Sequence, residues 1–166
     1  HLCSDGKTNL YFSVNQGKVM HYDLVTKTAS LIKEYSVVNR LFLRHGYLWI
    51  CRLWDDIICY DLKTNEERVI SMEGKDQSEF SNSYVTDLTS KDNLTFYLTT
   101  WNGLYKLRFD NESLCKSPFV LTLLTKNQKA FHSSIENKMT SLFWDDKQQI
   151  LWVGTFGGGV VKFDIS

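Results

Sequence analysis

Four short turns of this sequence carry side chains that suit a sugar ligand. An aromatic ring stands beside an acid or an amide in Trp54–Asp55 and Trp101–Asn102, Phe156 precedes a glycine, and two amides adjoin in Asn15–Gln16. Aromatic rings stack on the apolar C–H faces of sugars, and amide or carboxylate groups bind the hydroxyls. We therefore predict a site for an oligosaccharide or another polar small ligand, made by Trp54, Asp55, Trp101, Asn102, Phe156, Asn15 and Gln16. The alternative is that these aromatics are structural plugs packed under neighbouring loops.

The other reactive side chains lack the spacing that catalysis or metal binding needs. Adjacent acids, as in Asp55–Asp56 and Asp145–Asp146, point in different directions from a turn, whereas a hydrolytic pair must oppose each other across a substrate. The histidines form neither an HxH nor an HxxxH pattern, and no CxxC pair occurs. The glycines of "FGGGV" (156–160) open no helix and so suit a turn rather than a phosphate. We expect no catalytic residue, no metal site and no cofactor.

Composition favours one ordered domain rich in strands. The chain has 166 residues, 43% of them hydrophobic and 14% aromatic, with plentiful β-branched residues. Its 19 basic and 19 acidic residues balance, which argues against nucleic acid as a partner. No apolar run reaches the roughly 20 residues that span a bilayer, and the first residues lack the regions of a signal peptide. We expect no direct membrane contact in this segment.

The candidate turns belong to a hairpin that recurs along the chain. It reads "LYFSVNQGKVMHYDL" from Leu10, "LWICRLWDDIICYDL" from Leu48 and "LWVGTFGGGVVKFDI" from Leu151, and in each copy an aromatic precedes an Asp by 12 positions. A degenerate copy, "FYLTTWNGLYKLRFD", has Tyr97 at the aromatic position. A small residue always follows two positions after the aromatic, and we expect it to let neighbouring repeats approach closely. These small residues are Ser13, Cys51, Thr99 and Gly154.

The repeat length identifies the unit as a propeller blade. The aromatics stand at 11, 49, 97 and 152, with spacings of 38, 48 and 55 residues. Strand-rich repeats of roughly 40–50 residues are typical of propellers. We predict an all-β fold, a single partial β-propeller of four blade-like repeats over about 1–36, 37–83, 84–137 and 138–166. With the four strands of a blade lettered A to D in chain order, the B–C and D–A connections share one face, which would gather the candidate site residues.

Individual strands can be placed within the repeats. In the second repeat we predict strands over 39–45, 47–53, 56–62 and 67–73, and in the fourth a strand over 139–145. The fourth repeat has no sequence for a fourth strand after 164, so we expect a fragment of a larger ring of about seven blades. The remaining blades would come from the parent protein or from another copy of the chain. Cys51 and Cys59 lie on successive strands of one hairpin, so a disulfide and two free thiols both remain open.

The fourth repeat resembles the two-component-regulator propeller repeat. "LWVGTFGGGVVKFD" is similar to the family's signature hairpin and "MTSLFWDDKQQI" to its first strand and acidic turn, whereas the first and third repeats lack the Gly-Thr pair. The resemblance implies a periplasmic sensor region of a Bacteroides-type hybrid two-component system. In that family a histidine kinase follows the propellers, and the usual role is glycan sensing that controls genes for polysaccharide use.

Three functions follow from these observations. The first is a non-catalytic sensor segment that binds a carbohydrate. The second is a protein-interaction or dimerisation propeller without a small ligand. The third is a propeller lyase or glycosidase, which clustered inward acids or histidines would favour, and the sequence offers no such cluster.

Overall fold

The computed structural model describes residues 1–14, 17–53, 56–71, 84–101, 103–125 and 138–165. The regular elements of these residues are all strands, so the predicted all-β class is confirmed. No helix in this part of the chain is long and apolar enough to cross a membrane. The chain divides into two compact units, His1–Ser71 and Met72–Ser166.

The first unit contains two four-stranded antiparallel sheets, in which consecutive strands pair. Sheet 1 has the order β1-β2-β3-β4 and sheet 2 the order β5-β6-β7-β8. The strands are β1 Leu2–Ser4, β2 Asn9–Val14, β3 Lys18–Asp23, β4 Thr28–Glu34, β5 Val38–Arg44, β6 Tyr47–Arg52, β7 Ile57–Asp61 and β8 Glu67–Ile70. The four strands predicted for the second repeat are therefore present, and the last two residues predicted for the fourth strand, 72–73, lie outside the described residues.

The second unit repeats this plan. Sheet 3 has four strands and sheet 4 has three within the described residues. The strands are β9 Val85–Ser90, β10 Thr95–Thr100, β11 Gly103–Phe109, β12 Phe119–Leu123, β13 Met139–Asp145, β14 Ile150–Thr155 and β15 Gly159–Asp164. The strand predicted over 139–145 occupies the same residues in β13.

In each unit the core lies between its two sheets. The repeat aromatic of the first sheet faces the second sheet, and the residues that flank the next repeat aromatic face back toward it. Tyr11 thus packs in one cluster with Leu48 and Ile50, and Tyr97 packs in another with Leu151 and Val153. This alternation follows from the two-residue period of a strand, which sends neighbouring side chains to opposite faces.

The turn between β14 and β15 is built by glycines. Gly157 and Gly159 have φ values of 88° and 82°, in the left-handed region that residues with a Cβ rarely adopt. The Thr155 hydroxyl donates to the Gly159 carbonyl at 3.1 Å across the same turn. The expectation that "FGGGV" makes a turn between two strands is confirmed.

The steric reason for a small residue at position 154 of the fourth repeat differs from the one expected. A Cβ on Gly154 would lie 2.2 Å from Oγ of Ser141, its partner on the neighbouring strand of the same sheet. The smallness of this position therefore serves a contact within the sheet. Cys51 and Cys59 are not joined by a disulfide, and the register sets them opposite other residues, Cys51 opposite Ile57 and Cys59 opposite Trp49.

Candidate ligand-binding site

Two of the seven predicted site residues lie in the described part of the chain. Trp101 directly follows β10 and is 39% exposed, and Phe156 directly follows β14 and is 62% exposed. Asn15, Gln16, Trp54, Asp55 and Asn102 lie outside the described residues.

Lys138 connects these two aromatic residues. Its carbonyl accepts the Phe156 backbone N–H at 2.8 Å, and its Nζ lies 4.9 Å from the centroid of the Trp101 ring. The turns that follow β10 and β14 therefore meet the residue before β13 at one end of the second unit.

Tyr84 completes the group. Its ring centroid lies 5.4 Å from that of Trp101, and the two ring planes are inclined by 40°. Tyr84 stands directly before β9, as Lys138 stands directly before β13. We call Tyr84, Trp101, Lys138 and Phe156 the Trp101 cluster. Tyr84 and Lys138 are not among the residues predicted from the sequence, where their one signal is that each is the last residue before the first strand of a repeat.

The Trp101 cluster combines aromatic surface with a positive charge. An ammonium group over an exposed indole contributes about 0.5–1 kcal/mol, so the Lys138 contact is weak enough for a ligand to rearrange. Aromatic rings with a polar partner are suited to ligands that have both an apolar face and polar edges.

Several polar contacts between neighbouring sheets involve the first strand of a repeat. In the second unit, Asp87 Oδ2 accepts the Leu142 backbone N–H at 2.7 Å, and the Thr86 hydroxyl donates to the Met139 carbonyl at 2.7 Å. In the first unit, Arg40 Nη1 lies 2.7 Å from His1 Nε2. These contacts stabilise the packing of the sheets beside the candidate site and leave the Asp87 carboxylate engaged.

The paired acids of the fourth repeat accept hydrogen bonds within their own turn. Asp145 Oδ1 accepts the Gln148 backbone N–H at 3.0 Å, and Asp146 Oδ1 accepts from Gln149 Nε2 at 3.2 Å. The turn joins β13 to β14, at the end of sheet 4 opposite Phe156. In the part of the chain that the structure describes, no three His, Cys, Asp or Glu residues are grouped so as to hold a metal ion.

Two cavities also lie at the ends of sheets opposite to the B–C turns. One of about 410 Å³ in the first unit includes Asp5 and His45 in its wall, and one of about 380 Å³ in the second unit includes Asp92 and Glu112. Hydrogen bonds from Asn9 and from backbone N–H groups lower the pKa of Asp5 to about 2. Asp92 Oδ1 likewise accepts the backbone N–H groups of Leu94 and Thr95. Asp5 and Asp92 thus stabilise turns through their hydrogen bonds, and the Trp101 cluster is the better candidate site.

No protein-family model matches the sequence, and no curated protein matches it either. Solved structures do match. One is the extracellular domain of BT4673 from B. thetaiotaomicron, with a TM-score of 0.71, 17% identity, and coverage of 99% of this chain and 20% of that chain. BT4673 is described there as a hybrid two-component system and in a second structure as a one-component system. This chain spans about a fifth of the length of that domain.

Two further structures have the same type of fold. The Cps50 (Swd1) β-propeller domain of Myceliophteria thermophila matches with a TM-score of 0.70 and 15% identity, over 95% of this chain and 48% of that domain. The computationally designed Ika4 protein matches with a TM-score of 0.66 and 18% identity, over 99% of this chain and 89% of that protein. At such identities the likeness concerns the fold alone. Together with the four antiparallel sheets, it shows that this chain has a β-propeller fold built from four blade-like sheets.

Proposed function

We propose that this chain is a non-catalytic, ligand-binding segment of an extracytoplasmic sensor propeller. The sensor would belong to a hybrid two-component signalling protein that acts in the periplasm and controls glycan use. The observation that carries this proposal is the Trp101 cluster at one end of the second unit, in which Lys138 contacts the partly exposed Trp101 ring through its ammonium and the backbone of the exposed Phe156 through its carbonyl.

The fold and the repeat sequence support the class of parent protein. The fourth repeat resembles the two-component-regulator propeller signature, and the BT4673 structure that matches is an extracellular domain. Kinase activity would belong to the parent, because the described residues contain only the propeller sheets.

The geometry supports a saccharide as the ligand class. Trp101 offers an indole ring that is only partly covered, and Phe156 offers a second exposed ring on the adjacent sheet. The other predicted site residues lie outside the described part of the chain and stay predictions from the sequence: Trp54, Asp55, Asn102, Asn15 and Gln16.

Binding of oligosaccharides to the 166-residue chain tests the proposal. A glycan array followed by calorimetry is run on the wild type and on Trp101→Ala, Phe156→Ala and Trp54→Ala. We expect Trp101→Ala to weaken binding at least tenfold, about 1.4 kcal/mol. Phe143→Ala is the matched control, since this ring is also exposed on sheet 4 but lies outside the cluster. Equal affinity in all of these variants would remove the proposed site.

A second function is favoured by one apolar sheet face. Phe143 and Val160 of sheet 4 are 64% and 70% exposed and share a face with the repeat aromatic Trp152. The equivalent face of sheet 3 carries Tyr97, which sheet 4 covers completely. A face of this kind could pack against apolar residues of a further propeller sheet, as the Tyr97 face packs against Leu151 and Val153.

Sheet 1 has the complementary face. Leu2, Phe12, Met20 and Leu31 form one row across its four strands, and Leu2 and Leu31 are 61% and 54% exposed. The same row of sheet 2 contains Leu41, Ile50 and Ile58, which pack against sheet 1. We propose that further blades of a longer propeller cover both exposed faces, and that a second copy of the chain substitutes when those blades are absent.

Sedimentation of the isolated chain tests this second function. We expect self-association that increases with concentration, and we expect Phe143→Gln with Val160→Thr to reduce it without changing saccharide binding. Lys147→Gln, in the turn at the end of the same sheet, is the control. A wild-type chain that stays monomeric at high concentration would contradict the proposal.

A further inference from the structure

We infer that the Trp101 cluster selects acidic saccharides, and that Lys138 binds the carboxylate of a uronic acid. This inference rests on the proposed function and adds the chemical class of the ligand. It depends on the position of the Lys138 side chain, on its lack of a counter-ion among the described residues, and on the aromatic surface beneath it.

The backbone around Lys138 is held in place. The Lys138 carbonyl accepts the Phe156 N–H at 2.8 Å, and the next residue, Met139, is fully buried and accepts the Thr86 hydroxyl at 2.7 Å. The Lys138 side chain therefore extends from an ordered backbone and reaches the Trp101 ring, where Nζ lies 4.9 Å from the ring centroid. Because the backbone is already ordered, only the side-chain torsions of Lys138 have to be fixed when a ligand binds.

The positive charge of Lys138 is not neutralised within the described part of the second unit. Among the described residues, the contact of the Lys138 ammonium is with the Trp101 ring and not with a carboxylate. The Asp87 carboxylate accepts two backbone N–H groups, from Leu88 at 2.8 Å and Leu142 at 2.7 Å. A ligand carboxylate would supply the missing counter-ion.

A uronic acid satisfies both parts of the cluster at once. A pyranose ring that stacks on Trp101 displaces the Lys138 ammonium from the ring face to the edge of the sugar. A uronate carries its carboxylate at that edge, so an ion pair replaces the cation–π contact. A neutral sugar breaks the same contact and forms no ion pair, which makes it the weaker ligand.

The experiment compares acidic and neutral oligosaccharides on the full chain. Calorimetry measures binding of trigalacturonate, a hyaluronan tetrasaccharide, galactotriose and maltotriose to the wild type, Lys138→Gln, Lys138→Arg and Lys147→Gln. We expect an acidic sugar to bind at least tenfold more tightly than the neutral ones, and its affinity to fall as salt is raised. Lys138→Gln should remove this preference, Lys138→Arg should keep most of it, and Lys147→Gln should leave it unchanged.

The outcomes separate the two proposals. If neutral sugars bind as tightly as the uronates and depend on Trp101, the acid selectivity is wrong and the saccharide site stands. If a uronate binds but Lys138→Gln and high salt leave its affinity unchanged, Lys138 is not its partner and the inference is also wrong. If no saccharide of either class binds, both proposals are wrong. Thermal melting of Lys138→Gln checks the fold, and the arginine variant decides the case if the glutamine variant unfolds.

Discussion

Asp87 joins the first strands of sheets 3 and 4, because its Oδ2 accepts the Leu142 backbone N–H at 2.7 Å while its Oδ1 accepts the Leu88 N–H at 2.8 Å. Both oxygens are needed as acceptors. Asp87→Asn must turn an amide NH₂ toward one of these N–H groups, so we expect a loss of about 1–3 kcal/mol in the free energy of unfolding.

Urea denaturation checks the Asp87 prediction, with Asp110→Asn as the control on an exposed carboxylate. Amide hydrogen exchange at Leu142 should accelerate in Asp87→Asn if the contact between the sheets is lost. A variant as stable as the wild type, with unchanged exchange at Leu142, would show that the contact contributes nothing.

Glu67 should make the fold sensitive to acid. Burial raises the pKa of Glu67, but hydrogen bonds from Lys33 and from the Tyr35 hydroxyl, the latter at 2.9 Å, outweigh burial and hold the pKa below its ordinary 4.5. A carboxylate with a lowered pKa stabilises the folded state above its ordinary pKa, and this stabilisation is lost as pH falls through the folded-state pKa.

The acid sensitivity is measured as urea midpoints from neutral pH to below pH 4.5. We expect the wild type to exceed Glu67→Gln in stability at neutral pH and the difference to shrink in acid. Glu34→Gln, at an exposed position of β4, should follow the wild type over the whole range. A difference that does not change with pH would assign the effect of Glu67 to packing rather than charge.

Removal of the Tyr97 hydroxyl should increase the free energy of unfolding of the protein. The hydroxyl is buried and has no hydrogen-bond partner among the described residues. Burial, together with the charge of Asp92, raises the pKa of Tyr97 to about 12. Because a buried unpaired polar group costs about 1–3 kcal/mol, we expect Tyr97→Phe to gain about 1 kcal/mol after the small void is counted.

Tyr60→Phe is the matched control for Tyr97, since the Tyr60 hydroxyl donates to Asn65 Oδ1 at 3.0 Å and its removal should cost about 1 kcal/mol. The raised pKa adds a test at high pH. Stability from a protonated Tyr97 is present below its ordinary 10.0 and is lost as pH rises through about 12, so Tyr97→Phe should resist alkaline unfolding better than the wild type. A less stable Tyr97→Phe would indicate a hydrogen bond from that hydroxyl.

Gly17 should tolerate no side chain. A Cβ there would lie 2.3 Å from the Tyr35 carbonyl oxygen, a backbone atom that cannot rotate away. The Tyr35 N–H also donates to the Gly17 carbonyl at 3.1 Å, which fixes this approach. We expect Gly17→Ala to lose about 1–3 kcal/mol, as overpacked positions do.

Thermal melting of Gly17→Ala checks this prediction, and Gly154→Ala, measured in the same way, provides the comparison. Its added Cβ would meet the Ser141 hydroxyl, which can rotate, and the second change Ser141→Ala should restore its stability. Equal losses at Gly17 and Gly154 would mean that the backbone near Tyr35 moves more easily than expected.

The sheets could be predicted from the sequence because each depends on local patterns. The 12-residue interval between Trp152 and Asp164 measures a two-stranded hairpin with a tight turn, and β14 and β15 form that hairpin. The alternation of apolar residues around Tyr97 also sets which side chains face the next sheet. Strand ends were predicted less well, as at Arg52 and Asp61, because the end of a strand depends on neighbours that the pattern does not contain.

The candidate site was harder to predict because its contacts join residues far apart in the chain. Trp101 and Phe156 stand out as aromatics in turns, but Lys138 is one lysine among many until the structure shows its distance to the indole. Gly154 illustrates the same limit within a sheet, since a small residue can make room for a neighbouring sheet or for a side chain of its own sheet. Only the register with Ser141 distinguishes the two reasons.

Sheets 2 and 4 each carry a repeat aromatic on one face, Trp49 or Trp152. On the other face each carries the apolar residues that pack against the repeat aromatic of the first sheet in the same unit, as Leu48 and Ile50 pack against Tyr11. A duplicated repeat of this kind therefore brings both halves of the contact between sheets with it. Such a protein can lengthen by one blade through gene duplication without first evolving a new surface, and the same property makes its blades exchangeable parts for protein engineering.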